Sequence, residues 1–568
     1  MWQLRGFSIH TSYQNWIAHH EARGMAESTK KFASENDPPW LSFITPVYNT
    51  PPEVLRAMLD SLWVQAGGWE LCAADASDSG ADASQVLAEY AQIDSRIRVL
   101  RLSGNQGISG NSNQAIAMAQ GEYLALLDHD DLLAPNMVAE VHALVAAHPD
   151  ADIIYYDEDK LSADGQERRE PWFKPHAWSP EMLISANYLM HSVVRRRLAE
   201  SVGLFDARMD GAQDWDLMLR CSEQTQAIYH IPKVLYHWRQ LAGSTAAEDT
   251  AKPWVFESQR RALRAHLQRQ GISQPELKRQ PHSYQALWTV PPAKVSVVVT
   301  TRNVDRALRC CLASLPQEAG LLQIQVVVVN KNRQRVGKAL PSQRSQEAVA
   351  IKIVQATACS EAAARNRGAR EAQGDLLLFF AEDLQAQTEG WLQELARWAQ
   401  RPSIGAIGAK LHFANKRVYH AGVLLEADGH HPCFVYQGSY DSYMGIFGGT
   451  NWYRNFQAVS GECLMLRREV FWSVGGFNEE PPAAHTSAEN MAVDLCLRLG
   501  AEGLRIMYTP FASFWLPAWH HQRRARRSVS HAGQDDPYGN PSLCFSDVVP
   551  YLADPSALLQ TMRQDDLS

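Results

Sequence analysis

The sequence predicts an α/β protein with two tandem Rossmann-like domains, each built on a mainly parallel sheet. Two observations support this: short apolar runs alternate with helix-like runs, and the whole alternation occurs twice. Residues 113–128 align without a gap with residues 366–381, and residues 41–49 align with residues 295–303. The two offsets differ by a single residue, so the repeat is the size of a domain. A chain of 568 residues also exceeds what one core supports.

In the first copy, four strand-like runs alternate with three helix-like runs. The strand-like runs are 41–46, 69–74, 97–102 and 123–127, and the helix-like runs are 53–65, 83–92 and 111–119. This alternation is typical of parallel strands joined by helices that cover both faces of a sheet. Because ligands of such sheets bind beyond the carboxyl ends of the strands, polar residues at those ends are the candidates for a site.

The two copies divide the chain into five predicted segments. These are an N-terminal extension over 1–37, a catalytic domain over 38–280, a Pro-rich linker over 281–292, a second domain over 293–518, and a basic and polar tail over 519–568. The tail contains a run of histidines and arginines at 520–527. Such a run is usually solvated, and the functional alternative is contact with an anionic membrane surface.

Composition excludes several classes of protein. The formal net charge of −8 argues against duplex nucleic acid as a partner, because such binders present a basic face. The nine cysteines are scattered, which favours core thiols over a metal or redox motif. No apolar run reaches the roughly 18 to 20 residues that span a bilayer. Since residues 1–36 also lack the pattern of a secretory signal, we predict a cytoplasmic location.

An acidic cluster follows the last apolar run of the first copy. It consists of Asp128, His129, Asp130 and Asp131. Carboxylates this close repel one another unless a cation lies between them. The cluster therefore predicts a divalent metal, Mn²⁺ or Mg²⁺, completed by substrate phosphates. The alternative is a solvated acidic turn in which Asp131 caps the next helix.

Three other residues occupy positions that face the same edge of the predicted sheet. Asp75 ends the second strand and could accept a hydrogen bond from a nucleobase N–H. Tyr48 follows the first strand and could supply a stacking face. Asp214 opens an amphipathic helix and could act as a general base. Each is weak alone, but together they would line one crevice.

These residues resemble glycosyltransferase family 2, whose members have the GT-A fold. The resemblance extends over about residues 40–247, and its motifs agree in order and spacing. They lie at 46–49, 75, 105–109, 121–131, 157–160, 173–175 and 214. Gln213 is a departure, because a Glu commonly precedes the base in that family.

The resemblance implies a role for each matching residue. Asp75 would contact the nucleobase, Asp128 the ribose and Asp130 the metal, and Asp214 would deprotonate the acceptor hydroxyl. Other predicted contributors are Pro46, Tyr48, Asn49, Asn113 and His129 at the donor, and His237 at the metal. The implied reaction is inverting transfer from a nucleoside-diphosphate sugar, UDP- or dTDP-linked, to a glycan or lipid-linked glycan. Two-domain chains with these motifs resemble enzymes of surface polysaccharide (O-antigen-like) biosynthesis.

The second copy lacks part of this set, which predicts a degenerate active site there. The residues at the matching positions are Ala381, Glu382, Asp383 and Leu384 for the acidic cluster, Asn330 for Asp75 and Ala492 for Asp214. An alanine cannot accept a proton, so we expect the second domain to hold the acceptor or the domain pair. A second, weak transferase site is the alternative, because two acids remain at 382 and 383.

Other functions stay open. A bifunctional glycan polymerase or a protein glycosyltransferase would use the same chemistry. A carbohydrate-binding or scaffold protein would need neither the base nor the metal. A nucleotidyltransferase is disfavoured because no glycine-rich basic loop follows the first strand.

Overall fold

The computed structural model divides the chain into two units. The first comprises Met1–Trp178, Asn187–Leu277 and Leu552–Ser568, and the second comprises Ser179–Ala186 and Lys278–Tyr551. The structure describes residues 3–4, 7–8, 13–18, 38–241, 253–302, 306–316, 319–332, 349–425, 432–441, 443–480, 487–516, 536–544 and 551–552. The predicted basic run at 520–527 and most of the predicted extension therefore lie outside the described residues.

The first unit is built on a sheet that has nine strands among its described residues. They are β1 (Leu41–Val47), β2 (Trp69–Asp75), β3 (Ile97–Arg101), β4 (Tyr123–Leu126), β5 (Leu132–Leu133), β6 (Ile153–Leu161), β7 (Arg168–Trp172), β8 (Val193–Arg195) and β9 (Ile228–Arg239). Their order is β3-β2-β1-β4-β8-β6-β9-β5, with β7 beside β6. Strands β1 to β4 are parallel, as are β6 and β9, whereas β8 runs antiparallel between β4 and β6. All seven residues of β2 are buried, as expected for a strand covered on both faces.

Helices lie between these strands. They are α1 (Pro52–Trp63), α2 (Asp82–Ile93), α3 (Gly107–Met118), α4 (Met137–Ala147), α5 (Pro180–Ser185), α6 (Arg196–Ser201), α7 (Gln213–Ser222) and α8 (Pro253–Arg269). Helix α5 belongs to the second unit. A short hairpin (Gln3–Leu4 with Phe7–Ser8) and a helical turn at 13–18 precede β1. No helix among the described residues is long and apolar enough to cross a membrane.

The second unit repeats this architecture. The strands from residue 276 onward are β10 (Glu276–Gln280), β11 (Ser283–Leu287), β12 (Ala293–Thr301), β13 (Leu322–Asn330), β14 (Val349–Gln355), β15 (Leu376–Phe380), β16 (Gln385–Ala386), β17 (Ile404–Phe413), β18 (Val418–His420), β19 (Val423–Leu425), β20 (Pro432–Phe434), β21 (Met444–Gly445), β22 (Gly448–Gly449), β23 (Arg454–Phe456), β24 (Cys463–Arg467), β25 (Arg505–Leu516), β26 (Leu543–Cys544) and β27 (Tyr551–Leu552). The first two residues of β10 and the last residue of β27 belong to the first unit. The helices over the same range are α9 (Arg306–Ala313), α10 (Glu361–Glu371), α11 (Trp391–Ala399), α12 (Arg468–Ser473) and α13 (Ala488–Ala501). The main sheet has the order β14-β13-β12-β15-β24-β17-β25-β16, which matches the first sheet strand for strand.

Side-chain contacts confirm the repeat as well as the topology. The Asn113 amide donates to the carbonyl of Phe205 and accepts from its N–H, at 2.9 and 3.1 Å. Asn366 makes the same pair of bonds with Phe477, at 2.8 and 2.9 Å. The predicted class of two tandem α/β domains with mainly parallel sheets is therefore confirmed.

Candidate active site

The carboxyl ends of β1 and β4 border one crevice of the first unit. Because these strands are parallel neighbours, the segments that follow them emerge at the same edge. The crevice is lined by Ile44, Pro46, Ile108, Ser112, Leu126, Leu127, Asp128, Met190, His191, Phe205, Gln213 and Asp214. The structure thus brings together three of the predicted site residues, Pro46, Asp128 and Asp214, along with Gln213.

Hydrogen bonds of Asp131 link the acidic cluster to strand β9. Its side chain is fully buried, and its carboxylate accepts from the Tyr236 hydroxyl at 2.6 Å and from the Arg239 N–H at 2.7 Å. The same tyrosine oxygen accepts from the N–H of Asp128 at 3.2 Å. The cluster is therefore a fixed turn and not a loose acidic segment.

The carboxylates of this turn are electrostatically crowded. Removal from water, and then the charge of Asp130, raises the pKa of Asp128. Burial and the charges of Asp130 and Asp128 raise the pKa of Asp131 well above its usual value. A cation between these groups would relieve the repulsion.

A histidine completes a set that fits a divalent cation. One ligand atom from each of Asp128, Asp131 and His191 lies within 4.8 Å of the others. His191 Nδ1 lies 3.0 Å from Glu158 Oε2, which leaves Nε2 for the cluster. A carboxylate behind the imidazole is the usual arrangement at metal-binding histidines. Two carboxylates and an imidazole are donors that Mn²⁺ accepts, so the residues present fit the predicted metal.

Asp130 and His237, the two metal ligands predicted from the sequence, are not in this group. Asp130 lies in the same turn, and its backbone carbonyl accepts from Arg239 Nε at 2.7 Å. His237 follows Tyr236 on β9 and so points to the other face of the sheet. There its Nδ1 lies 2.7 Å from Asp159 Oδ1 in a buried pair. Metal ligation by Asp130 and His237 stays a prediction.

Asp75 is buried at the end of β2 with three partners. Its carboxylate accepts from the N–H of Ser77 at 2.9 Å and the hydroxyl of Ser84 at 2.5 Å, and it lies 2.8 Å from Arg101. Burial raises the pKa of Asp75, but these hydrogen bonds and the nearby guanidinium outweigh burial and lower it. The group is therefore held ionised, as an acceptor of hydrogen bonds.

The remaining donor-site candidates lie on the loop after β1 and beside it. Tyr48 is 43% exposed, and its hydroxyl lies 3.5 Å from Asp78. Asn49 adopts a φ of 50°, and its amide nitrogen donates to the same aspartate at 2.6 Å. His129 Nδ1 lies 3.0 Å from the Thr50 hydroxyl. An exposed ring above a hydrogen-bonded loop suits a stacking surface. Asn113 instead binds the backbone of Phe205, and its role at the donor stays a prediction.

Asp214 is the second residue of α7 and lies on the wall of the crevice. Removal from water raises the pKa of its carboxyl group, although the N–H of Trp215 and the side chains of His191 and Asn187 act in the opposite direction. The Asn187 amide donates to Asp214 Oδ2 at 2.8 Å. A positioned carboxylate with a raised pKa has the properties of a general base.

Comparisons with known proteins assign the family. Residues 42–203 and 296–475, more than half of the chain, match glycosyl transferase family 2. The chain belongs to glycosyl transferase family 2. The two matches fall on the two repeated domains, which agrees with the resemblance noted in the sequence.

Two curated relatives match most of the chain. O-antigen biosynthesis protein RfbC of Myxococcus xanthus is 33% identical over 94% of this chain and 42% of its own length. The uncharacterized protein y4gI of Sinorhizobium fredii is 36% identical over 86% of this chain and 54% of its own length. The chain therefore spans about half the length of these relatives. Among solved structures, S. aureus TarS with UDP-GlcNAc is 19% identical over 40% of this chain and 66% of that chain, with a TM-score of 0.34, too low to support a conclusion.

The second family 2 domain has different residues at the positions of the three candidate metal ligands, although Glu382 and Asp383 remain beside them. Strand pairing defines the equivalence, because Ala125 faces Val193 in the first sheet and Leu378 faces Met465 in the second. Counting from these pairs places Ala381, Leu384 and Cys463 where Asp128, Asp131 and His191 lie. The register of β25 likewise places Phe514 and Leu411 where Tyr236 and Glu158 lie.

A shared arginine motif defines the second-domain equivalent of Asp214, the candidate base. Arg220 pairs with Asp216 at 2.6 Å and donates to the carbonyls of residues 202 and 204. Arg498 pairs with Asp494 at 2.6 Å and donates to the carbonyls of residues 474 and 476. The residue two positions before the aspartate is Asp214 in the first domain and the buried Ala492 in the second.

Four residues of this site had no role predicted from the sequence, although one of them, Glu158, lies in the motif at 157–160. They are Glu158, Asn187, His191 and Tyr236. His191 could have been predicted from its position two residues before β8. An antiparallel strand begins at the edge where its parallel neighbours end, so a histidine there faces the same crevice.

Proposed function

We propose that the first domain is an inverting glycosyltransferase. It transfers a sugar from a UDP- or dTDP-sugar to a glycan or lipid-linked glycan acceptor in the assembly of an O-antigen-like surface polysaccharide. One observation carries the proposal: the metal-binding group and the base of the first domain are replaced by Ala381, Leu384, Cys463 and Ala492 in the second. Family membership and the similarity to RfbC support the substrate class.

Asp214 serves as the general base in this proposal. It accepts the proton of the acceptor hydroxyl as that oxygen attacks the anomeric carbon. Asn187 holds the carboxylate in place, and the amino end of α7 favours its ionised form. No covalent intermediate is needed, because a single displacement inverts the configuration.

Asp128, Asp131 and His191 are the residues that would hold Mn²⁺ or Mg²⁺, with Asp130 as a further ligand. When bound, the cation offsets the negative charge that develops on the leaving diphosphate. Glu158 orients the imidazole of His191, and the hydroxyl of Tyr236 orients Asp131. These contacts of Glu158 and Tyr236 keep the two proposed metal ligands in place before the donor binds.

The donor nucleoside binds between the ends of β1 and β2 in this proposal. Asp75 accepts from the nucleobase, Tyr48 stacks on it, and Pro46, Asn49, Asn113 and His129 complete the donor site. Because the Asp75 carboxylate also lies against Arg101, donor binding requires a rearrangement of that ion pair.

In this proposal the second domain binds the acceptor or keeps the two domains together. With Ala492 at the position of the base, neither a bifunctional polymerase nor a second transferase site is favoured. The intact set in the first domain argues against a scaffold without catalysis.

We propose domain limits of 38–280 and 293–518, although Ser283–Leu287 of the intervening segment forms a strand paired with Glu276–Gln280. The cytoplasmic face of the membrane, contacted peripherally, is the proposed location.

A nucleotide-release assay tests the proposal. The full chain is incubated with a panel of UDP-, dTDP- and GDP-sugars and Mn²⁺, with and without EDTA. We expect release from one donor class, and we expect EDTA to abolish it. Release from none of the donors would contradict the proposed function, and release insensitive to EDTA would contradict the metal requirement.

A further inference from the structure

Two tryptophans stand apart from the other members of this tryptophan-rich chain. Among the described residues, Trp63 and Trp254 are the tryptophans with large exposed surfaces, at 42% and 54%. Trp63 ends α1, which runs back from the carboxyl end of β1, so it lies at the edge of the sheet opposite the crevice. Trp254 is the second residue of α8 and packs on Gly211, three residues before Asp214.

Trp254 is attached to the turn that leads to the base. A Cβ atom added at Gly211 would overlap its ring, so the indole packs directly on this glycine. Gly211 also has a φ of 87°, a conformation that favours glycine. The guanidinium of Arg261 on α8 donates to the carbonyl of Arg208, which ties the helix to the same turn. Gly211 precedes Asp214 by three residues, so the indole packs on the turn that leads to the base.

The opposite side of this turn reaches the crevice. Asp210 accepts from the N–H of Ser109 at 3.3 Å, and a Cβ atom at Gly107 would lie 2.6 Å from its carboxylate. Ile108, between these two residues, lines the crevice and is 38% exposed. Two exposed apolar side chains, Ile108 and Trp254, thus flank the turn that carries the base.

We propose that Trp254 binds the acceptor, with its exposed indole face stacked on the C–H face of a glycan sugar ring. This inference rests on the proposed transferase function. A pyranose has one face rich in C–H groups, and an aromatic ring buries that face while the hydroxyls stay solvated. Because Asp214 must reach the attacking hydroxyl, the ring that bears this hydroxyl lies next to the turn that Trp254 covers.

If Trp254 had a purely structural role, its replacement would lower nucleotide release in parallel with glycan binding. Three variants separate that role from acceptor binding. Trp254→Leu keeps apolar contact with Gly211 but has no flat face. Trp254→Phe keeps a smaller flat face. Trp63→Ala is the matched control, because it removes an equally exposed tryptophan at the far edge of the same sheet.

The test combines glycan binding with donor hydrolysis in the full chain. The binding probe is an array of hexose, 6-deoxyhexose and N-acetylhexosamine oligosaccharides. We expect Trp254→Leu to weaken binding at least tenfold, Trp254→Phe to weaken it less, and Trp63→Ala to leave it unchanged. Nucleotide release to water should stay within twofold of wild type in Trp63→Ala, and Trp254→Leu should lose glycan binding by a larger factor than it loses nucleotide release.

Three results would overturn the inference. They are wild-type binding by Trp254→Leu, a parallel loss of nucleotide release in that variant, and the absence of any bound glycan for the wild-type chain. Failure of the proposed function gives a different result, namely no nucleotide release from any donor by the wild-type chain. Loss of glycan binding in Trp254→Leu would still support a glycan site in that case.

Discussion

At the scale of single residues, Asp214 is the group that we propose as the general base. We predict that Asp214→Asn lowers the rate of nucleotide release by about 10²- to 10⁴-fold, the usual contribution of a general base. The dissociation constant for the free nucleoside diphosphate should not change, because Asp214 is not among the residues proposed to contact it. Calorimetry and the release assay measure the two effects separately. Asp494→Asn, on the matching helix of the second domain, is the control and should behave as wild type. Near-wild-type release by Asp214→Asn would show that the base is another residue.

The hydrogen bond from Asn187 gives a prediction about pH. Asp214 accepts a proton only when it is ionised, so activity is present above its pKa and is lost as the pH falls through it. The Asn187 amide favours the ionised form and so lowers this pKa, against the effect of burial. Asn187→Ala should therefore raise the pKa and move the acid limb of kcat/KM to higher pH. An acid limb that does not move, in a variant that binds nucleotide normally, would contradict this role.

Some of these residues could be predicted from the sequence and others could not. Asp128 follows an apolar run, and Asp214 begins an amphipathic one, so local pattern alone marks both positions. His191 and Glu158 meet only because β8 inserts antiparallel between β4 and β6. Their contact depends on pairing between distant segments, which a single sequence does not specify. Tyr236 and Asp131, which are hydrogen-bonded to each other, likewise lie 105 positions apart in the chain.

At the scale of elements, β6 carries a buried ionic network that contacts His191, one of the three candidate metal ligands. Glu158 on this strand contacts Lys174 at 2.9 Å and His191 at 3.0 Å, and all three side chains are buried. Burial raises the pKa of Glu158, but the charges of Lys174 and His191 outweigh it and lower the pKa to about 2. The stabilisation from this group is therefore complete above the ordinary pKa of a glutamate and is lost as the pH falls toward 2.

Removing the lysine should destabilise the first domain. Lys174→Met leaves Glu158 buried without its main counter-charge, which typically costs about 3–5 kcal/mol. Lys160→Met is the matched control, because Lys160 pairs with the largely exposed Glu170 and such a pair contributes about 0–1 kcal/mol. Thermal unfolding followed by circular dichroism measures both variants. Equal melting temperatures for the two variants would contradict the importance of the buried network.

The limits of two elements show where sequence patterns fail. Helix α3 was expected from residue 111 but begins at Gly107. The side chain of Asn105 accepts from the N–H of Gly107 at 2.9 Å, and that of Asn111 accepts from the N–H of Gln106 at 3.1 Å. These bonds support a first turn that contains no apolar stripe. Ser283–Leu287, within the Pro-rich segment expected to be a linker, forms a strand because it pairs with Glu276–Gln280.

At the scale of the whole molecule, the described part of the chain contains one fold twice and one complete set of the groups that we propose to be catalytic. The order of strands is the same in both sheets, and the hydrogen bonds of Asn113 and Asn366 to the backbone are retained. Stability of the fold therefore accounts for what the two domains share. The groups that differ are those around the crevice, where the second domain has Cys463, Phe514 and Ala492. The division of roles was predictable from the sequence at Ala492 but not at Cys463 or Phe514, whose positions depend on strand register.

The most direct test of this division compares two double variants of the full chain in the nucleotide-release assay. One variant carries Asp128→Ala and Asp214→Asn, and the other carries Glu382→Ala and Asp383→Ala. If catalysis belongs to the first domain, the first variant releases no nucleotide above background and the second stays within twofold of wild type. Release by the first variant, or its loss in the second, would show that the second domain performs the chemistry.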